Sequence, residues 1–156
     1  MNELVHTEYW PALPVAVVRR RARPHELSKV VPEACGIVWN ALRSHQISGA
    51  GRHIAIYFDD QINLEVGVEL SSPFVGVGEV AASATPAGSV ATATHLGPYG
   101  HLYRTHDAIR AWCAAQNYPL AGPSWEVYGH WKNDWNHAPE KIQTDVYYLL
   151  AVKPST

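Results

Sequence analysis

The strongest constraint on this chain is that it repeats itself. Trp39-Asn40-Ala41-Leu42-Arg43-Ser44-His45-Gln46-Ile47 matches Trp112-Cys113-Ala114-Ala115-Gln116-Asn117-Tyr118-Pro119-Leu120 at a spacing of 73 residues. Each segment ends a helical pattern and leads through a Gly/Pro turn to an aromatic-bearing strand. A period near half of the 156 residues means a domain duplicated once, since solenoid repeats recur every 20–50 residues.

The order of signals within the halves is the same. Pro14 to Arg20 reads as a Val-rich strand. Leu27 to His45 is helical, with Val31, Cys35, Val38 and Leu42 on one stripe and Pro32 in its first turns. His53 to Phe58 and Asn63 to Leu70 are strands joined by the turn Asp59-Asp60-Gln61. Ser71 to Gly88 reads as a linker with strand pieces. Then Ser89 to His95 is a strand, Gly97-Pro98-Tyr99-Gly100 a turn, and Leu102 to Tyr118 a helix with Leu102, His106, Ile109 and Cys113 aligned. Pro123 ends the connection, Trp125 to Trp131 is a strand, Lys132 to Glu140 a polar loop, and Ile142 to Val152 the last strand. The expected fold is α+β, a duplicated β-α-β-β unit with pseudo-two-fold symmetry and a central ligand groove. One domain spans residues 1–156, with repeat one at about 5–72 and repeat two at about 88–154.

Strand alternation nominates the groove residues. Trp125, Val127 and Trp131 share one face; Glu126, Tyr128 and His130 share the other. In the matching strand Ile54, Ile56 and Phe58 mark the core face, and Ala55 and Tyr57 the opposite one. The expected core includes Ile54, Ile56, Phe58, Val127, Ile109 and Leu42. The expected groove includes Ala55, Tyr57, Glu126 and Tyr128. A lone carboxylate among aromatic faces suits a flat organic cation, because ring quadrupoles and the anion attract the same charge. Trp39 and Trp112, at matched helix positions, flank the groove. Tyr147 and Tyr148 point to opposite faces of the last strand, so one of them sees the groove. Periodicity does not choose between them, because the run is apolar on both faces, and Tyr147 stands as the candidate.

Other chemistry is disfavoured. The net charge of −2 speaks against nucleic acid or an anionic membrane as partner, and no apolar run approaches a membrane span. Cys35 and Cys113 read as buried free thiols. Nine histidines include no His-x-x-x-His pair, so no metal and no cofactor is expected. Without a signal peptide the expected location is cytoplasmic. Arg19-Arg20-Arg21 and Arg23 read as a solvated basic turn.

Gly122-Pro123-Ser124-Trp125-Glu126-Val127-Tyr128, followed by Pro139 and Lys141-Ile142-Gln143-Thr144-Asp145-Val146, resembles the signature of the gyrase-inhibitor-like (GyrI-like) domains. His95-Leu96-Gly97-Pro98-Tyr99 is similar to that family's Gly-Pro-Tyr turn. The resemblance implies two strand–helix–strand–strand repeats around a groove for hydrophobic, often cationic aromatic, compounds. It carries the family's acidic residue onto Glu126. It also implies kinship with effector modules of AraC-type and MerR-type regulators, this chain being expected as a free-standing member. Some free-standing relatives are similar to hydrolases of cyclopropane-bearing alkylators, which implies a role for Glu126 in activating water or positioning the substrate. Tyr128 or Tyr147 is the candidate hydrogen-bond donor beside it. Three classes stand: a small-molecule binder, such a hydrolase, and a protein-interaction module.

Overall fold

The computed structural model describes residues 4–59 and 62–151. Asp60 and Gln61 of the expected turn, and Val152 at the end of the last strand, lie outside the described residues. Two compact units partition the chain, one made of residues 11–86 and the other of residues 1–10 with 87–156.

The 11–86 unit contains β2 (Pro14–Arg21), α1 (Leu27–Ser44), β3 (Ala50–Tyr57), β4 (Asn63–Leu70) and β5 (Ala81–Ala84). Its strands lie in the order β3-β4-β2-β5, all neighbours antiparallel. Val15, Ala16, Val17 and Val18 are fully buried, so β2 has both faces covered and reads as a continuous apolar run. Ala34, Val38 and Leu42 are the buried stripe of α1. Gly67 sits opposite Val17, and a Cβ there would come within 1.7 Å of the Ala16 carbonyl oxygen. Only glycine lets β2 and β4 approach at this point.

The second unit contains β1 (His6–Trp10), β6 (Gly88–Leu96), α2 (Leu102–Ala115), β7 (Leu120–Tyr128) and β8 (Gln143–Leu150). Its order, β7-β8-β6-β1, reproduces that of the first unit element for element. Each unit is thus a strand–helix–strand–strand core plus one edge strand from outside it. β1 pairs with β6, so residues near the amino terminus belong with the second repeat, whereas the sequence boundaries put them in the first. Ala91, Ala93, Val146, Tyr148 and Leu150 pack with Leu102, Ile109 and Cys113 of α2.

The two helices end alike. The amide of Ile47 donates to the Leu42 carbonyl and that of Gln46 to Arg43, while Gln46 takes a left-handed φ of 54°. Tyr118 donates to Cys113 and Asn117 to Ala114, with Asn117 at φ 60°. This is the Schellman arrangement, which satisfies the last helical carbonyls. Gln46 and Asn117 are 71 residues apart, so the repeat in the fold is two residues shorter than the one in the sequence match. Trp112 therefore corresponds to Ala41, and Trp39 to Arg110. The expected equivalence of the two tryptophans does not hold.

Burial follows the expectation at Ile54, Ile56, Val127, Ile109 and Leu42. Phe58 departs from it at 41% exposure, because β3 ends at Tyr57 and the side chain leaves the pleat. Trp131 departs likewise at 51%; β7 ends at Tyr128, so Trp131 and His130 follow the strand and no longer obey its alternation.

Candidate functional site

The site grows from the start of α2. Both ring nitrogens of His95, on β6, are engaged: Nε2 donates to the Pro98 carbonyl at 3.1 Å, and Nδ1 meets the Thr105 hydroxyl at 2.9 Å. A carbonyl only accepts, which assigns the Nε2 proton. His95 thereby braces the Gly-Pro-Tyr turn against the first turn of α2. That sets Thr105 and His106 towards the sheet, both buried.

Glu126 on β7 meets His106 there. Its side of the strand is the side covered by α2, whereas alternation with Ile and Phe sets it opposite the core face, towards the groove. Glu126 is 4% exposed. His106 Nε2 donates to Oε2 at 2.6 Å, and the Tyr128 hydroxyl donates to Oε1 at 2.5 Å. The other ring nitrogen of His106 meets the Tyr148 hydroxyl at 2.6 Å. Arg110, one helical turn beyond His106, donates to that hydroxyl at 2.7 Å and reaches Asp107 at the exposed end. With His106 neutral, the proton directions form one chain: Arg110 to Tyr148, Tyr148 to His106, His106 to Glu126. Tyr99 stands edge-on to the Tyr128 ring, centroids 5.6 Å apart. Burial pushes the Tyr148 phenol up to about 12, with the Arg110 charge opposing and the Glu126 charge reinforcing the rise.

Tyr147 lies elsewhere. It pairs with Trp125 across the ladder and stacks on it at 5.6 Å, with Trp10 tilted over it at 4.3 Å. Consecutive residues of β7 and β8 face opposite ways, so this aromatic cluster is on the face away from Glu126. Tyr148, not Tyr147, shares the side of the carboxylate. Trp125 Nε1 and Thr144 Oγ1 are buried with no hydrogen-bond partner among the described residues.

Trp112 stacks on Tyr118 at the flank of the second unit's core, 5.5 Å between centroids. Ala55, Tyr57 and Trp39 belong to the other unit. Ala55 and Tyr57 are buried, and Trp39 is exposed with its ring tilted towards His53. Their register is informative. Ala55 faces Val66 as Glu126 faces Val146, and Tyr57 faces Leu64 as Tyr128 faces Thr144. The residues that answer to His106, Glu126 and Tyr148 in the first unit are thus Cys35, Ala55 and Val68. Among those, Cys35 has its thiol pushed up to about 11 by burial.

Sequence reasoning missed His106, Tyr148 and Arg110 as site residues. His106 stands on the packing stripe of α2, and the signal available was that it is the one basic side chain among Leu102, Ile109 and Cys113.

The GyrI-like small-molecule-binding domain model matches residues 5–151. The chain belongs to this family. As a GyrI-like domain it is similar in fold to the C-terminal domain of EcmrR, with a TM-score of 0.80 at 16% identity, covering 98% of this chain and 100% of that one. It is similar to SAV2435 bound to tetraphenylphosphonium, with a TM-score of 0.67 at 9% identity and coverage of 97% and 94%. A hydrolase from Listeria innocua is also similar, at 0.62 and 13% identity, covering 94% and 91%. No curated protein matches. Among the described residues no helix is long and apolar enough to cross a membrane, and no group of three metal-ligating side chains occurs.

Proposed function

We propose that this GyrI-like domain binds hydrophobic aromatic small molecules that are cationic or electrophilic, with Glu126 as the anionic anchor. The observation that carries the reading is a buried carboxylate flanked by Tyr128 and His106, in a family of small-molecule-binding domains. Its counterpart in the other unit is Ala55, so the same topology packs without any carboxylate at this position. A buried acid that the fold does not require is a candidate for ligand contact. SAV2435, a neighbour in fold, has been seen with tetraphenylphosphonium, a lipophilic aromatic cation.

Glu126→Gln keeps the shape and removes the charge. A cationic fluorescent dye is expected to lose affinity about tenfold or more, roughly 1.4 kcal/mol. A neutral dye of the same shape loses much less. Equal losses for the two dyes overturn the anchor.

A hydrolase reading has support of its own in the pairing of Glu126 with His106, an arrangement suited to moving a proton. Here Glu126 takes a proton from water as the water oxygen attacks a cyclopropane carbon. The strained carbon–carbon bond breaks, its electron pair passes into the conjugated ring system, and a proton is returned there. Tyr128 is the hydroxyl placed to assist; Tyr147, across the sheet, is not. Product analysis with a cyclopropane-bearing alkylator distinguishes the readings, since a binder returns the compound unchanged.

A further inference from the structure

We propose that His106 determines the charge specificity of this site: its imidazole competes with a cationic ligand for Glu126, so that a permanent cation binds in exchange for the proton that makes His106 positive. The inference rests on the ligand reading above and adds to it a residue and a direction of pH dependence.

Both carboxylate oxygens of Glu126 are engaged, Oε2 by His106 and Oε1 by Tyr128. A cation anchoring at this carboxylate competes with these two groups. Of the two, only His106 can carry a positive charge. With the imidazole doubly protonated, it and Glu126 form a pair of no net charge, and an incoming cation gains little from the carboxylate. With the imidazole neutral, the pair carries one negative charge in a dry setting, where charge counts for more.

The surroundings of His106 accommodate the change. From β7, Glu126 faces Nε2 at 2.6 Å, and Tyr128 faces the same carboxylate. From β8, the Tyr148 hydroxyl meets Nδ1 and can donate to it or accept from it, because a hydroxyl does both. From α2 itself, Arg110 lies one hydroxyl away and bonds Asp107 towards the surface, with Cys113 further along the stripe. From β6, His95 stands next to the helix through Thr105. A carboxylate thus lies on one side of the ring and a guanidinium, through one hydroxyl, on the other. Cys35 holds the corresponding place in the other unit, so the fold imposes no imidazole at this position.

The probe is tetraphenylphosphonium, whose charge does not vary with pH, with triphenylphosphine oxide as a neutral aromatic comparison. Calorimetric titration from about pH 5.5 to 8 covers the range in which histidine changes charge. For the unsubstituted protein, affinity for the cation is expected to rise about tenfold across this range and affinity for the neutral compound to stay level. Repeated near the acid end in buffers of different ionisation heat, the titration is expected to show release of close to one proton per cation bound. His106→Gln keeps an amide donor for Glu126 without a titrating ring; its cation affinity is expected to be flat and close to the high-pH value of the unsubstituted protein. An equal pH slope in His106→Gln overturns the inference. So does the absence of proton release, a measurement that needs no variant. Binding that depends on Glu126 but not on pH overturns the inference and leaves the ligand reading intact. No cation binding at any pH overturns the ligand reading itself.

Discussion

The hydroxyl of Tyr148 is the hinge of the network in the second unit, taking a bond from Arg110 and meeting His106 while its ring is packed in the core. Its phenol is raised by burial to about 12, above the tyrosine value of the unfolded chain. The sign follows from proton binding. Below about pH 10 both states hold the proton and the shift contributes in full. Between about 10 and 12 the unfolded chain releases it first, so stability falls as pH rises. Tyr148→Phe removes that dependence. Alkaline denaturation monitored by circular dichroism is expected to show a loss over this range smaller by about 2 kcal/mol in the variant. An unchanged alkaline limb contradicts the burial of this hydroxyl. Alternation alone could not have found the residue: it shows that Tyr147 and Tyr148 face opposite ways, and nothing local says which side carries the helix.

At the scale of elements, the helix ends carry the duplication more faithfully than the residues within the helices. Gln46 and Asn117 hold left-handed backbone at equivalent places, which costs a side-chain-bearing residue energy and glycine almost none. Gln46→Gly is expected to stabilise the protein by about 0.5–1 kcal/mol in urea denaturation, and Asn117→Gly by less, since asparagine tolerates this conformation better. Destabilisation by either change contradicts the cap geometry. The tryptophan match failed here for a geometric reason. An error of two residues turns a helix position by more than half a circle, so chemically similar residues at spacing 73 fall on different helix faces. Strands suffer less from such an error, because a shift of two keeps the face.

Across the whole molecule, two units share one strand order and one of them carries a buried polar cluster that the other replaces with Cys35, Ala55 and Val68. The topology is therefore stable with apolar side chains in these places. Removing one partner of a buried pair strands the other, at a cost of about 3–5 kcal/mol, whereas removing both avoids that penalty. In a double-mutant cycle of His106→Cys and Glu126→Ala, the double variant is expected to cost about 1–3 kcal/mol less than the sum of the singles. Additive losses, measured by denaturant unfolding, contradict a coupled pair.

Local chemistry alone determined much of this chain. Apolar period and turn residues placed both helices and the six strands of the two strand–helix–strand–strand cores, and they singled out Glu126 as an odd carboxylate in an aromatic strand. Alternation correctly set Glu126 with Tyr128 and apart from Trp125, because that relation needs only the pleat. Tertiary structure decided the rest. β1 and β5 are edge strands whose pairing partners lie far along the chain, so their own short sequences carry little signal. The side of the sheet that α2 covers depends on the path of the connection through the Gly-Pro-Tyr turn. That path alone brings His106 and Glu126, 20 residues apart, within 2.6 Å of each other.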